Sequence, residues 1–151
     1  NAVAGEAELE GTTRAFTKES RERVNKSIVD IAKNIGEMYN AQVEVEFKDY
    51  ASPVINDIKV CNSLKKVAEK IIGPENILKD YPKKLGADDF AEYLTLIPGT
   101  YAQVGTKNIE KPNTGVSHHN ELFDIDEEGL LVATNLEVDY VMSRLASVYS
   151  I

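Results

Sequence analysis

Five apolar side chains recur between residues 24 and 38 at intervals of four, three, four and three residues, and this spacing is the strongest structural signal in the chain. They are Val24, Ile28, Ile31, Ile35 and Met38. Such a spacing puts all five on one face of an α-helix. Thr17 stands just before the pattern and is a favourable N-cap residue. The sequence therefore predicts an amphipathic helix over about residues 18–40.

Alternating polar and apolar residues flank this helix on both sides. Glutamates alternate with small or apolar residues from position 6, and Val43, Val45 and Phe47 alternate with charged residues. A period of two indicates half-buried strands, so residues 6–16 and 43–47 are predicted strands around the helix. Residues 49–53 interrupt the pattern and end in a proline, which predicts a domain boundary after residue 50.

The second part of the chain, residues 51–151, predicts a mixture of helices and short strands. Apolar spacing indicates a helix that ends at Gly73, because Gly followed by Pro is a common helix stop. A short helix is predicted over residues 90–97 and a long one from about Asp126, whose carboxylate suits the positive end of the helix dipole. Short strands are predicted at residues 77–78 and 101–105. The predicted fold class is therefore α/β (α+β).

Composition excludes several classes of protein. The formal net charge is −8 with a pI near 4.8, and no run of Lys or Arg exceeds two residues, so we expect no nucleic-acid partner. No apolar run approaches the ~18–20 residues that a membrane span needs, so we expect no membrane partner. The single Cys61 rules out an internal disulfide, and with no signal-peptide pattern this predicts a cytoplasmic protein.

Both histidines of the chain, His118 and His119, lie side by side in a polar segment just before the last predicted helix. Histidine is the commonest metal ligand and the usual acid–base group near neutral pH. From the residues alone, a surface-loop histidine that bonds to the backbone is the simpler interpretation of His119.

Four landmarks occur in a specific order along the chain: Gly11-Thr12-Thr13-Arg14-Ala15-Phe16, then Gly86-Ala87-Asp88-Asp89-Phe90, then Pro98-Gly99-Thr100-Tyr101 with Gly105, and finally His119 with Phe123 and Asp126-Glu127. From about Gly5 onward the chain thus resembles the C-terminal part of the zinc-dependent aminoacylase and carboxypeptidase family. That family includes hippurate hydrolases, auxin-conjugate amidohydrolases and N-acyl-amino-acid deacylases. Two positions depart from its pattern, since Asp88 stands where Glu is usual and Glu121 where Pro is common.

The resemblance implies a zinc-exopeptidase-like catalytic domain that is interrupted by a smaller lid or dimerisation domain. Residues 1–50 would be the second half of that strand-helix-strand lid. Residues 51–151 would be the C-terminal segment of the catalytic domain. A homodimer formed through the lid is possible on this reading.

The resemblance also implies roles for individual residues. His119 would be a ligand in a site for two divalent metal ions, with zinc expected and manganese, nickel or cobalt as alternatives. Arg14 would hold the substrate carboxylate, since a guanidinium offers a planar fork for it; a solvent-facing Arg on an edge strand is the alternative. Asn56 and Gly99 would be further substrate contacts, although a simple turn also explains Gly99.

Asp88 and Asp89 would orient the metal-binding histidine, and an N-cap for the short helix is the alternative. The family's general base and its other metal ligands have no counterpart in these residues, so no catalytic residue is assigned here.

The sequence therefore predicts the C-terminal part of a metal-dependent amidohydrolase or exopeptidase. The intact enzyme would hydrolyse an N-acyl amino acid or a peptide amide with a metal-activated water, and these residues alone would be inactive. One alternative is a non-catalytic module for self-association. Another is a small α/β binding domain in which the landmarks are coincidental.

Overall fold

The computed structural model describes residues 1–48, 51–78 and 81–149. The described part is helix-rich. Its α-helices are α1 (Lys18–Met38), α2 (Ile58–Ile72), α3 (Phe90–Leu96) and α4 (Glu128–Tyr149), and it adds 3₁₀ turns at Pro74–Asn76 and Pro112–Gly115. None of these helices is long and apolar enough to cross a membrane.

The predicted helices are confirmed, and their ends follow the predicted chemistry. Thr17 caps α1, because its hydroxyl accepts a hydrogen bond from the N–H of Ser20 at 3.1 Å. Asp57 caps α2 in the same way, by accepting from two backbone N–H groups of the first turn. Gly73 ends α2 with a φ of +82°, a conformation that glycine adopts at little cost.

The C-terminus of α1 ends in a Schellman motif, which satisfies its last carbonyl groups. The N–H of Asn40 donates to the carbonyl of Glu37, and the N–H of Ala41 donates to the carbonyl of Gly36 at 2.9 Å. Asn40 takes the left-handed conformation that this motif requires, with φ +54°. The chain therefore reverses within two residues of the end of the helix.

One compact unit consists of residues 1–54 and 83–92. Within it, the segment after α1 folds back against Gly36, which is buried. A Cβ at Gly36 would lie 2.5 Å from Cγ2 of Val43 and 2.9 Å from the carbonyl oxygen of Ala41. Glycine is therefore required there for close approach.

The second compact unit consists of residues 55–82 and 93–151, and in it α2 packs against α4. The N–H of Asp57 donates to the carbonyl of Gly99 at 2.8 Å, and the Cys61 Sγ lies 3.0 Å from the hydroxyl of Thr100. Cys61 is thus a partly buried residue at the contact between these segments.

The predicted strands are not confirmed, since the described residues contain no strand. Residues 6–16, 43–47, 77–78 and 101–105 are outside regular structure, and the strand-helix-strand description therefore lacks support. A strand is defined by hydrogen bonds to a neighbouring strand, and alternation in the sequence encodes the two faces without supplying the partner. The only pairing of this kind in the described part is a single bridge between Asn108 and Lys111.

The proposed domain boundary after residue 50 stays a prediction. Asp49 and Tyr50, which begin the interrupted segment, lie outside the described residues. The compact units divide the chain near this point, at residues 54 and 55, but the first unit also takes in residues 83–92.

Few apolar side chains are buried in the described residues. Val67 and Ala91 are the buried hydrophobic residues, and Thr114 is the buried polar one. Large apolar side chains along α1 stay exposed, such as Ile31 at 58% and Met38 at 76%.

Candidate functional site

The two histidines lie in an exposed turn between the 3₁₀ segment and α4. His119 has a φ of +63°, which is uncommon for a residue with a Cβ. The ring of His118 packs edge-on against the ring of Phe123, with 4.7 Å between centroids. Among the residues that the structure describes, the His119 side chain has no hydrogen-bond partner, so its imidazole is free to bind a ligand.

The backbone of this turn is closed by Asn120. Its side-chain oxygen accepts from the N–H of Leu122 at 2.9 Å, and its carbonyl accepts from the N–H of Phe123 at 3.0 Å. These hydrogen bonds fix the conformation of the backbone between His119 and Phe123, the two residues that the sequence motif contains.

Asp126 connects this turn to the loop that precedes it. One carboxylate oxygen accepts from the side-chain amide of Asn108 at 2.5 Å, and the other pairs with the Lys111 ammonium at 2.8 Å. The hydrogen bond from Lys111, followed by that from Asn108, holds the pKa of Asp126 below its usual 3.8. The same bond to Asp126 raises the pKa of Lys111 above its usual 10.5.

Thr114 is the buried centre of that preceding loop. Its hydroxyl accepts from the N–H of Asn108 at 2.8 Å and donates to the carbonyl of Lys111 at 2.7 Å. The buried hydroxyl thus both accepts and donates a hydrogen bond, and these two bonds hold the backbone of the loop in one conformation.

These contacts could not be predicted from the sequence, in which Asp126 is expected to favour the positive end of the helix dipole. In the structure, the Asp126 side chain bonds to Asn108 and Lys111. No periodic signal marks the network, because its members come from positions 108, 111, 114 and 126. An Asn and a Lys that precede a Pro, followed by a Thr, are compatible with many loops.

Arg14 lies in the first compact unit. Its guanidinium donates to the carbonyl oxygen of Leu85 at 3.2 Å, and the residue is exposed. One such bond leaves most of the five N–H groups of a guanidinium available. The proposed role in carboxylate binding stays a prediction.

Asn56 and Gly99 lie together where two segments of the second unit meet. The Asn56 amide donates to the carbonyl of Tyr101 at 3.1 Å and accepts from its N–H at 2.7 Å. The Gly99 carbonyl accepts from the N–H of Asp57, and its φ is not positive. In this structure both residues join backbone segments, and their contact with a substrate stays a prediction.

The Asp88 carboxylate accepts a hydrogen bond from the N–H of Phe90, the first residue of α3, at 2.9 Å. The backbone carbonyl of Asp89 accepts from the N–H of Glu92 at 3.0 Å. Neither observation tests whether the pair orients a metal-binding histidine.

No three His, Cys, Asp or Glu side chains converge on a possible metal position within residues 1–48, 51–78 and 81–149. A zinc site needs three or four protein ligands. His119 suits the role of one ligand, since its imidazole is exposed and unengaged, but the described residues do not form a complete site. A groove of about 380 Å³ between α2 and α4 is lined by Asp57, Ser63, Tyr140 and Arg144 among others, and includes none of the predicted site residues.

Comparison with known proteins finds relatives that match most of this chain. YhaA of Bacillus subtilis, which is named as an amidohydrolase, is 32% identical over 136 residues. N-acetylcysteine deacetylase of the same organism is 33% identical over 134 residues. Thermostable carboxypeptidase 1 of Saccharolobus solfataricus is 30% identical over 131 residues. These alignments cover 90%, 89% and 86% of this chain.

The chain spans about a third of the length of these curated relatives, namely 34%, 33% and 32%. No family model matches the chain. No solved structure matches it significantly. The named relatives confirm the resemblance that the four ordered landmarks indicated.

Proposed function

Because this chain resembles the aminoacylase and carboxypeptidase family along about nine-tenths of its length, we propose that it is the C-terminal part of a metal-dependent amidohydrolase or exopeptidase. Its substrate class is an N-acyl amino acid or a peptide amide next to a free carboxylate. The observation that carries this proposal is the alignment with both a deacetylase and a carboxypeptidase over 89% and 86% of this chain.

The exposed surface supports the view that further protein covers this chain. Its accessible surface is 13,320 Å². A folded monomer of 16.7 kDa exposes about 7,600 Å², from the usual scaling of surface with mass. The apolar residues of α4 support the same conclusion, since Leu131, Val138 and Leu145 are all exposed. A helix with so few charged residues is usually buried on most of its surface.

In the intact enzyme, His119 supplies one imidazole ligand to a divalent metal, with zinc expected and manganese, nickel or cobalt as alternatives. A divalent metal held there would supply Lewis-acid activation of the amide carbonyl and of the attacking water. Arg14 binds the substrate carboxylate through its unengaged N–H groups. Asn56 and Gly99 shape the backbone near the substrate, and Asp88 and Asp89 support the histidine.

The remaining ligands and the general base come from outside these residues, and so this chain alone hydrolyses nothing. Residues 1–50 form half of a lid domain and residues 51–151 belong to the catalytic domain. We also propose a cytoplasmic location for the enzyme, with which the single Cys61 of this chain is compatible. None of the named relatives supports the alternative of a pure self-association module.

The test uses the intact parent enzyme and a variant chosen for the backbone of the turn. Because His119 has a positive φ, replacement by Ala would strain the turn, whereas Asn tolerates this conformation. His119→Asn should therefore remove the metal ligand and keep the turn. We expect hydrolysis of N-acetyl amino acids with added Zn²⁺ or Mn²⁺ to fall by at least about 100-fold.

The matched control is His118→Phe, which keeps the aromatic contact with Phe123 and removes the neighbouring imidazole. It should retain activity within a few-fold of the wild type. Full activity and full metal content in His119→Asn would refute the ligand assignment. Failure of the well-folded, metal-loaded parent to hydrolyse any acyl amino acid or peptide would refute the enzyme assignment.

A further inference from the structure

We propose that Asp126 is a positioning residue, which holds His119 in place by fastening the two ends of the loop that carries it. This inference rests on the proposed function in one respect only, namely that His119 binds a metal. The fastening itself is a property of this chain.

The first step is that the loop is closed at its base. The N–H of Asp126 donates to the carbonyl of Thr106 at 3.0 Å, so the two ends of the segment 106–126 lie next to each other. The start of α4 lies against this closure, because a Cβ at Gly129 would lie 2.8 Å from the Thr106 methyl group. The segment that carries both histidines is therefore closed at its base by a backbone hydrogen bond.

The second step is that the Asp126 side chain fastens the first arm of the loop. Its two oxygens bind the Asn108 amide and the Lys111 ammonium, and its side chain is only 15% exposed. The Thr114 hydroxyl then bonds to the backbone of both Asn108 and Lys111. One carboxylate therefore organises the first arm from its start to the 3₁₀ turn.

The third step concerns the arm of the loop that carries the two histidines. The carbonyl of Asn120 binds the N–H of Phe123, and Phe123 supports the ring of His118. His119 itself keeps a left-handed conformation without a hydrogen bond from its own side chain in the described structure. Such a conformation persists only where the surroundings impose it. The surroundings here are the short turn and the fastened base of the loop.

A partner that orients a metal ligand typically contributes about 10–100-fold to metal affinity. Asp126 would do this through the backbone, since no contact between its carboxylate and His119 exists in the structure. Its effect on metal binding should therefore follow the conformation of His119.

The experiment exchanges the donor and the acceptor of the central hydrogen bond. Asp126→Asn and Asn108→Asp each disrupt the pairing, whereas the double variant restores one amide facing one carboxylate with unchanged net charge. Asp124→Asn is the matched control, because Asp124 is exposed on the same loop and its carboxylate accepts a hydrogen bond from the N–H of Ile125.

Two readouts are taken. In this chain, NMR reports the intraresidue amide–Hα NOE of His119, which is strong in the left-handed conformation, and the exchange rates of the Asn108 and Phe123 amides. In the parent enzyme, competition titration reports the affinity for Zn²⁺. Far-ultraviolet circular dichroism identifies any variant that has lost its helices.

We expect each single variant to weaken the His119 NOE, to speed amide exchange at least about tenfold, and to weaken Zn²⁺ binding about 10–100-fold. The double variant should recover part of all three losses, because it restores the hydrogen bond between positions 108 and 126 and leaves the ion pair of residue 126 with Lys111 unrestored, and Asp124→Asn should change none. A merely structural role for Asp126 would change helix content and would not follow this pattern of loss and rescue.

The inference is overturned if Asp126→Asn leaves the His119 NOE and the Zn²⁺ affinity unchanged while His119→Asn abolishes binding. The proposed function would still stand in that case. If His119→Asn leaves Zn²⁺ binding intact, the ligand assignment in the proposed function fails instead, and the NMR readouts still decide whether Asp126 holds the loop.

Discussion

Replacement of Gly36 by Ala tests whether the close return of the chain after α1 is real. In an ordinary helix interior, Gly→Ala stabilises by about 1 kcal/mol. Here the added Cβ would lie 2.5 Å from Cγ2 of Val43 and 2.9 Å from the carbonyl oxygen of Ala41. Overpacking of this kind costs about 1–3 kcal/mol, and displacing Ala41 also weakens its hydrogen bond to Gly36, by about 1 kcal/mol. Together these contributions lead us to expect that Gly36→Ala destabilises the chain by about 1–3 kcal/mol.

Urea unfolding of the chain, followed by far-ultraviolet circular dichroism, measures this change. Ser27→Ala is the control, because Ser27 is exposed on the same helix and gains helix propensity without a clash, by a few tenths of a kcal/mol. In a Val43→Ala background the cost of Gly36→Ala should shrink, since the closest atom is gone. A Gly36→Ala chain more stable than the wild type would refute the packing argument.

Three further predictions concern the helix end and the fastened loop. Asn40→Gly should stabilise α1 by up to about 1 kcal/mol and Asn40→Ala should destabilise it, because φ is +54° there; thermal unfolding checks both. Thr114→Val should cost about 1 kcal/mol, because it removes the hydroxyl that accepts from the N–H of Asn108 and donates to the carbonyl of Lys111; unchanged amide exchange at Asn108 would contradict this. The lowered pKa of Asp126 means that its stabilisation is present above pH 3.8 and lost as the pH falls below that value, and the raised pKa of Lys111 means that the pairing is lost as the pH rises beyond 10.5. An NMR pH titration of the loop should show both transitions, and the acid one should vanish in Asp126→Asn.

The helices and their ends could be predicted from the sequence because the information is local. The spacing of apolar residues, the hydroxyl of Thr17 and the Gly-Pro pair at Gly73 each act within a few residues of where they stand. The motif around His119 was also readable, since it lies within a single segment of the chain.

The strands could not be predicted in the same way. Alternation in residues 6–16 describes an extended segment with two faces, and Leu9 on its apolar side is 94% exposed. A strand becomes a strand only when another segment supplies its hydrogen bonds. In the described part of this chain no such partner is present, and the apolar face stays uncovered.

By itself, the sequence determined where the helices begin and end, which family the chain resembles and which histidine deserves a test. Only the tertiary structure showed that Asp126 binds Asn108 and Lys111, that Gly36 admits the returning chain, and that His119 has a positive φ. The physical reason is separation along the chain. Local chemistry is written in adjacent residues, whereas contacts between distant residues depend on how the whole backbone folds.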